Sequence, residues 1–260
     1  MGSFFDIFIG ALFVAGTVAL SLGVYLAARW VTRKDKPDRH PEMANAMVLR
    51  IGALHGLILA LVFAQEMAAY QRLEAQTATE ASAVADVYND AARYDPVALQ
   101  PLQAAMVTYT RDVIVNEWPD LGTGAGLDPD AWLQWERAYA IVLDLEPANA
   151  RQTSLREHML TQLHAVATAR NLRDTDGNAP IMWLFWLAAL TGVMLIAIGY
   201  YSHAPDRHNL VLMALFSAYT GIILFLIYGF SNPYAAPAAL SPAPLESLYV
   251  KIGSDTEPAP

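Results

Sequence analysis

The stretch His55–Glu80, HGLILALVFAQEMAAYQRLEAQTATE, decides the architecture. It begins as an apolar segment that could sit in a bilayer. From Gln65 onward it carries amides and carboxylates, and no Gly, Pro or turn residue separates the two halves. Ala, Glu, Gln, Arg and Leu, all favourable in helices, dominate as far as Tyr94. One helix is therefore expected from about Val48 to Tyr94. At ~1.5 Å per residue it would be roughly 70 Å long, of which about 40 Å stands outside a ~30 Å hydrocarbon core. The expected fold is all-α, a four-span helical membrane protein with an extramembrane helical bundle built from the extension of the second span and three further helices.

The composition agrees with a chain divided between two solvents. Of 260 residues 55% are hydrophobic and only 16% charged, and the mean hydropathy is +0.29. There is no cysteine, which excludes disulfides, Cys-ligated zinc, iron–sulfur clusters and thiol catalysis. The formal net charge of -9 argues against a nucleic-acid partner, which would need a basic face. Four apolar runs approach bilayer length: Phe4 to Ala28, Ile51 to Ala64, Ile181 to Gly199 and Leu210 to Phe230. The first is no signal peptide, because Asp6 stands where a basic n-region belongs and the apolar core is too long. Trp183 and Trp186 at one end of the third run, and Tyr200 and Tyr201 at the other, suit interfacial belts.

Charge sets the orientation. Arg29, Arg33, Lys34, Lys36, Arg39 and Arg50 lie between the first two runs, so six of the sixteen basic residues fall in one short loop. The positive-inside rule places that loop in the cytoplasm and the N-terminus and middle domain outside, in a multi-pass protein of the cell inner membrane. The middle segment, from Glu66 to Asn178, holds eight Arg, no Lys and seventeen Asp or Glu, a net of -9. The expected organisation is spans one and two over 1–66 with the basic loop at 29–50, a bundle over 67–178, spans three and four over 179–231, and a Pro-rich tail over 232–260. Within the bundle, Asp95-Pro96 starts a helix that stops near Trp118-Pro119, and LGTGAGL (121–127) is a flexible connection. Asp128-Pro129 starts another helix, and Pro147 opens a last one to about Arg173.

Positions eleven apart lie nearly on one helical stripe, since eleven residues advance three turns plus roughly 20°. His55, Glu66, Thr77 and Tyr88 follow that spacing; Glu80 falls beside the stripe, and Gln65, Tyr70 and Glu74 flank it. Two readings stand. The carboxylates are a solvated face and His55 an interior, hydrogen-bonded histidine; or His55, Gln65, Glu66, Tyr70, Glu74, Thr77 and Glu80 line an aqueous path, because ionisable groups at membrane depth usually face water or a bundle interior. In a closed ring of subunits such carboxylates would favour cations. Ala68, Ala69, Ala75, Ala78, Ala81, Ala83 and Ala85 permit close packing, and Gly52 and Gly56 form a small-xxx-small pair for helix packing in the span. His158 and His164 are six apart, wrong for ligands on one helix face, and His203, Asp206 and His208 read as a polar turn. Nothing points to a metal, a cofactor or a catalytic residue.

ALVFAQEMAAYQRLEAQTATEASAVADVYNDA (60–91), preceded by a span and followed by a helical middle, two late spans and the tail NPYAAPAALSPAPLESL (232–248), resembles the bestrophin-like domain family of membrane proteins. The residues carrying the resemblance are Tyr70, Glu74 and Glu80, then Asn232, Pro233 and Tyr234, then Ser241, Pro242, Pro244 and Leu245. Ala235 replaces the glycine usual after the tail's aromatic. The resemblance implies an oligomeric, channel-like membrane protein, and the acidic middle segment speaks against chloride as its ion. The expected function is a homo-oligomeric, cation-preferring channel in the lipid bilayer with an inorganic ion as its ligand. The rival from another class is a membrane-anchored scaffold or sensor whose outer bundle binds a ligand or partner protein.

Overall fold

The structure is a computed structural model that describes residues 2–32, 41–177 and 183–254. Arg33, Lys34, Lys36 and Arg39 of the basic loop, Ile181 at the head of the third apolar run and residues 255–260 of the tail lie outside the described residues. The chain is all-helical, as expected, and divides into two compact units. An apolar unit takes residues 1–68 and 180–231; a bundle unit takes 69–179 and 232–260.

The apolar unit contains α1 (Gly2–Thr32), the first part of α2 (Pro41–Tyr94), α7 (Trp183–Gly199) and α8 (Arg207–Phe230). The helices α1, α2 and α8 are long and apolar enough to cross a bilayer, whereas α7 is shorter, at 17 residues about 26 Å. Thr17 of α1 donates its hydroxyl to the Ser217 carbonyl of α8 at 3.0 Å. Gly221 lies so close to α1 that an added Cβ would meet the Val14 Cα at 2.8 Å. At the C-terminal end of α1, the Tyr25 hydroxyl donates to the His203 carbonyl at 2.9 Å, and Arg29 donates to the carbonyls of Tyr201 and His203. The polar link between α7 and α8 is thus tied to α1, and Asp206 caps α8 by accepting from the Asn209 backbone N–H. Among the described residues nothing packs against Gly52 or Gly56, since a Cβ at either would meet no atom within 4 Å. The close approaches fall instead at Gly192, Gly199 and Gly221, where the neighbours are His55, Val48 and Thr17.

The bundle unit contains the rest of α2, then α3 (Gln100–Asp112), a π-helical turn (Val113–Glu117), α4 (Trp118–Thr123), α5 (Pro129–Leu143), α6 (Ala150–Gly177) and the tail helix α9 (Ala243–Ser254). Its core gathers Leu73, Val84, Val87, Leu102, Met106, Tyr109, Val113, Leu121, Trp135, Met159, Leu163 and Leu245. Asp95 accepts from the N–H groups of Val97 and Ala98 and caps the turn before α3, which begins at Gln100 rather than Pro96. Asp128 caps α5 as expected. The expected stop at Trp118-Pro119 does not occur. The π-turn brings the Trp118 N–H to the Val113 carbonyl five residues back, so the chain stays helical around Pro119, which has no N–H to give. The helix ends at Gly124, whose φ of 77° is the left-handed conformation of a C-terminal glycine. Leu121 is fully buried and Gly122 abuts the Tyr234 carbonyl, so the loop is shorter than the 121–127 connection expected.

Candidate functional site

In the bundle unit the inward edge of α2 carries Leu73, Thr77, Glu80, Val84, Val87 and Ala91, a four-three spacing that ordinarily holds only apolar residues. Glu80 interrupts it. On α6 the inward sequence Met159, Leu163, Val166 continues at the same spacing into Arg170 and Arg173. On the helix through α3 the inward row Leu102, Met106, Tyr109, Val113 ends at Glu117 in the π-turn. Packing these three helices brings four charged side chains into the core, where a lone charge would be costly.

They meet as a closed network. Arg173, 2% exposed, donates through Nη1 to Glu80 Oε2 at 2.7 Å and through Nη2 to Glu80 Oε1 at 3.1 Å and Glu117 Oε1 at 2.7 Å. Glu117, fully buried, accepts on Oε2 from Arg170 Nε at 3.0 Å, Arg170 Nη2 at 2.7 Å and the Asp128 backbone N–H at 3.0 Å. Arg170 also donates to the Asp128 carbonyl at 2.6 Å. The Tyr109 hydroxyl donates to Glu80 Oε1 at 2.6 Å. Trp118 lies beside the Arg173 guanidinium and Trp132 beside that of Arg170. The tail closes the network from the other side. The Tyr234 hydroxyl donates to the Arg173 carbonyl at 2.8 Å, its ring stands edge-on to Trp118, and Trp118 Nε1 donates to the Leu240 carbonyl at 2.9 Å. Asn232 fixes the approach by donating to the Gly122 carbonyl.

Burial sets the titration of these groups. It pushes the Tyr109 phenol well above its ordinary range, with the Glu80 charge adding to the effect, and it pushes Tyr234 up against the opposing pull of Arg173. Glu117 is raised by burial against the opposing charges of Arg173 and Arg170. For Arg173 burial acts downward, yet Glu80, Tyr109 and Glu117 outweigh it and hold the guanidinium charged. Both phenols therefore stay neutral in the folded protein while unfolded phenols ionise above about pH 10. Their contribution to stability is complete below pH 10 and lost as pH rises beyond it, by roughly 1 kcal/mol per phenol per pH unit. Denaturation curves at pH 9, 10 and 11 should show this decline, and Tyr109→Phe should lessen it.

The structure distributes the sequence-selected residues over two edges of α2. His55, Thr77, Glu80 and Tyr88 are buried by their own chain, and Glu66 is half-buried. The stripe expected to be solvated or to line a path is in large part the edge turned toward the chain's own interior. Glu80 is the clearest correction, because it lies inside the bundle paired with Arg173 and is not on a solvated face. His55 sits against Gly192 of α7, and its Nε2 has no hydrogen-bond partner among the described residues. Gln65 and Glu74 are exposed and Tyr70 is half-buried. Arg170, Arg173, Glu117 and Tyr109 were not singled out in the sequence, although the interruption of three apolar rows by charges was a signal for the first three. Among the described residues no cluster of His, Cys, Asp and Glu could hold a metal ion.

An all-helical chain with long apolar helices and a polar bundle unit pinned by a buried charge network defines a class of membrane protein. Within that class, the chain belongs to the Bestrophin-like domain family, whose model matches residues 15–245. Two crystal structures of a bacterial bestrophin homologue from Klebsiella pneumoniae, each of a point variant, share the fold. They superpose with TM-scores of 0.70 and 0.67 at 13% and 12% identity, each covering 95% of this chain and 98% of the other. No curated protein matches the sequence. Membership places the chain among channel-like membrane proteins.

Proposed function

We propose that this chain forms a homo-oligomeric ion channel of the inner membrane, with four spans per copy, the bundle unit and N-terminus outside, and α2 lining the path. One observation carries the choice of edge. Along α2 in the bundle unit, Gln71, Arg72, Glu74, Ala75, Ala78, Thr79 and Ser82 are uncovered, whereas Leu73, Thr77, Glu80, Ala81 and Val84 are buried. The uncovered residues are all small or polar, which suits a wet wall better than a packed one. In the apolar unit the uncovered residues of α2 include Leu54, Leu57, Ile58 and Leu61, which suit lipid or a neighbouring copy, and then Ala64 and Gln65. The residues assigned to the path are Gln65 and Glu74, which are uncovered; Glu66 and Tyr70 are half-buried at its margin, and His55, Thr77 and Glu80 support α2 from within.

The charge of the bundle favours cations. The buried network holds two carboxylates and two guanidiniums, so the remaining fifteen Asp or Glu and six Arg of residues 66–178 keep the whole surplus of -9. One Glu74 per copy would set a ring of carboxylates along the path. The test is ion flux and reversal potential in liposomes containing the purified protein. Cation preference is expected, with Glu74→Gln shifting the reversal potential toward anions. Flux no greater than in empty liposomes would defeat the channel, and a selectivity unchanged in Glu74→Gln and Glu66→Gln would defeat the assignment of the path.

A further inference from the structure

The tail is fastened to the bundle at several points, and one of them, Arg173, also grips α2. Arg173 offers its carbonyl to the Tyr234 hydroxyl and its guanidinium to Glu80, so a single α6 residue joins the tail to the inward edge of α2. The fit around Tyr234 is close on two sides. A Cβ added at Gly177 would overlap its ring, and one at Gly122 would stand 2.9 Å from its carbonyl oxygen. Beyond it, the Leu240 N–H returns to the Pro233 carbonyl, and α9 buries Leu245, Leu248 and Ile252 in the same core. The tail is therefore a strap with a fixed attachment. Among the described residues Glu80 is the carboxylate of α2 that Arg173 engages, and it lies opposite the uncovered row of Ala75, Ala78 and Ser82.

We propose that Tyr234 is a positioning residue: by holding Arg173 against Glu80, the tail sets the rotation of α2 about its own axis and so chooses which edge of the helix is left uncovered. A guanidinium bound to a carboxylate through two N–H groups resists rotation, because both bonds must break together. Removing the tyrosine hydroxyl removes the tail's hold on the Arg173 carbonyl, and α2, still held by its core residues and by the Tyr88 hydroxyl donating to the Ile252 carbonyl, gains rotational freedom at the Glu80–Arg173 pair. The inference rests on the reading of α2 as the path-lining helix only for its consequence in selectivity; the rotation itself is measured without any ion flux.

The absence of native cysteine makes the measurement direct, since an introduced cysteine is the sole reactive thiol. Three single cysteines are placed in the full-length protein reconstituted in vesicles: Thr77→Cys on the buried edge of α2, Ala75→Cys on the uncovered edge, and Ala138→Cys in the core of α5 as a gauge of general loosening. Each is labelled with a charged maleimide, with and without Tyr234→Phe. The expected result is a rise of about tenfold in labelling of Thr77→Cys, a fall at Ala75→Cys, and no change at Ala138→Cys; by the relation of 1.4 kcal/mol per tenfold this is the order of one lost hydrogen bond. Unchanged labelling of Thr77→Cys overturns the proposal. So does an equal rise at Thr77→Cys and Ala138→Cys, which would make Tyr234 a general stabiliser and nothing more. The flux of the unsubstituted protein decides the channel reading separately.

Discussion

Arg173→Met is expected to destabilise the bundle unit by about 3–5 kcal/mol. The substitution keeps much of the side-chain volume and removes the charge that neutralises two carboxylates. Glu117 retains Arg170, but Glu80, 1% exposed, retains only the Tyr109 hydroxyl. The cost is therefore mostly that of a buried carboxylate left unpaired, rather than the net worth of the ion pair. That distinction has its own signature. Removing Glu80 as well, in Glu80→Leu with Arg173→Met, should recover a large part of the loss, because no charge in that half of the network then lacks a partner. Urea unfolding of the full chain in detergent, followed through tryptophan fluorescence, to which Trp118 beside Arg173 contributes, measures both. A single-substitution cost below about 0.5 kcal/mol, or a double variant costing the sum of its parts, would show that Glu80 finds another partner or water in the fold.

The architecture was legible because it depends on period and length. The unbroken composition of residues 55–80 announced that α2 would run on, and α2 does so from Pro41 to Tyr94. The caps at Asp95 and Asp128 were legible for the same local reason, since each carboxylate bonds N–H groups two or three residues ahead. The facing of α2 was legible only in part. The eleven-residue stripe joins His55, Thr77 and Tyr88, all buried, with half-buried Glu66; beside it Glu80, which polarity alone would place in water, turns inward because Arg173 supplies a partner 93 residues away. Such pairing is invisible to local pattern. The interrupted rows gave a subtler sign: Glu80, Glu117, Arg170 and Arg173 each stand where the four-three spacing calls for an apolar residue. Two acids and two bases in interior positions neutralise one another, which a count over the rows would have revealed. Pro119 misled for another reason. A proline normally halts the preceding turn, and the π-turn that absorbs it depends on the tertiary placement of Glu117.

The glycines divide the same way, and their substitution gives the second large effect. Gly221→Ala is expected to destabilise the apolar unit by about 1–3 kcal/mol. The added methyl would meet the Val14 Cα at 2.8 Å and the Phe13 carbonyl oxygen at 2.9 Å, besides the Thr17 hydroxyl. Two of these obstacles are backbone, so no rotamer change relieves them and α1 must move away from α8. Moving it also stretches the bond from the Thr17 hydroxyl to the Ser217 carbonyl. Helix association inside a bilayer rests on such close packing, because lipid offers apolar side chains nearly the same environment as a neighbouring helix does. Gly16→Ala and Gly23→Ala on α1 supply the comparison, since a Cβ at either meets nothing within 4 Å. There alanine's helical preference, about 1 kcal/mol over glycine, should leave the protein as stable or more so. Thermal unfolding of the four proteins in one detergent tests the order, with Gly221→Ala lowest and the two α1 variants at or above the unsubstituted chain. If Gly221→Ala melted with Gly16→Ala, the α1–α8 crossing would be looser than its backbone distances require.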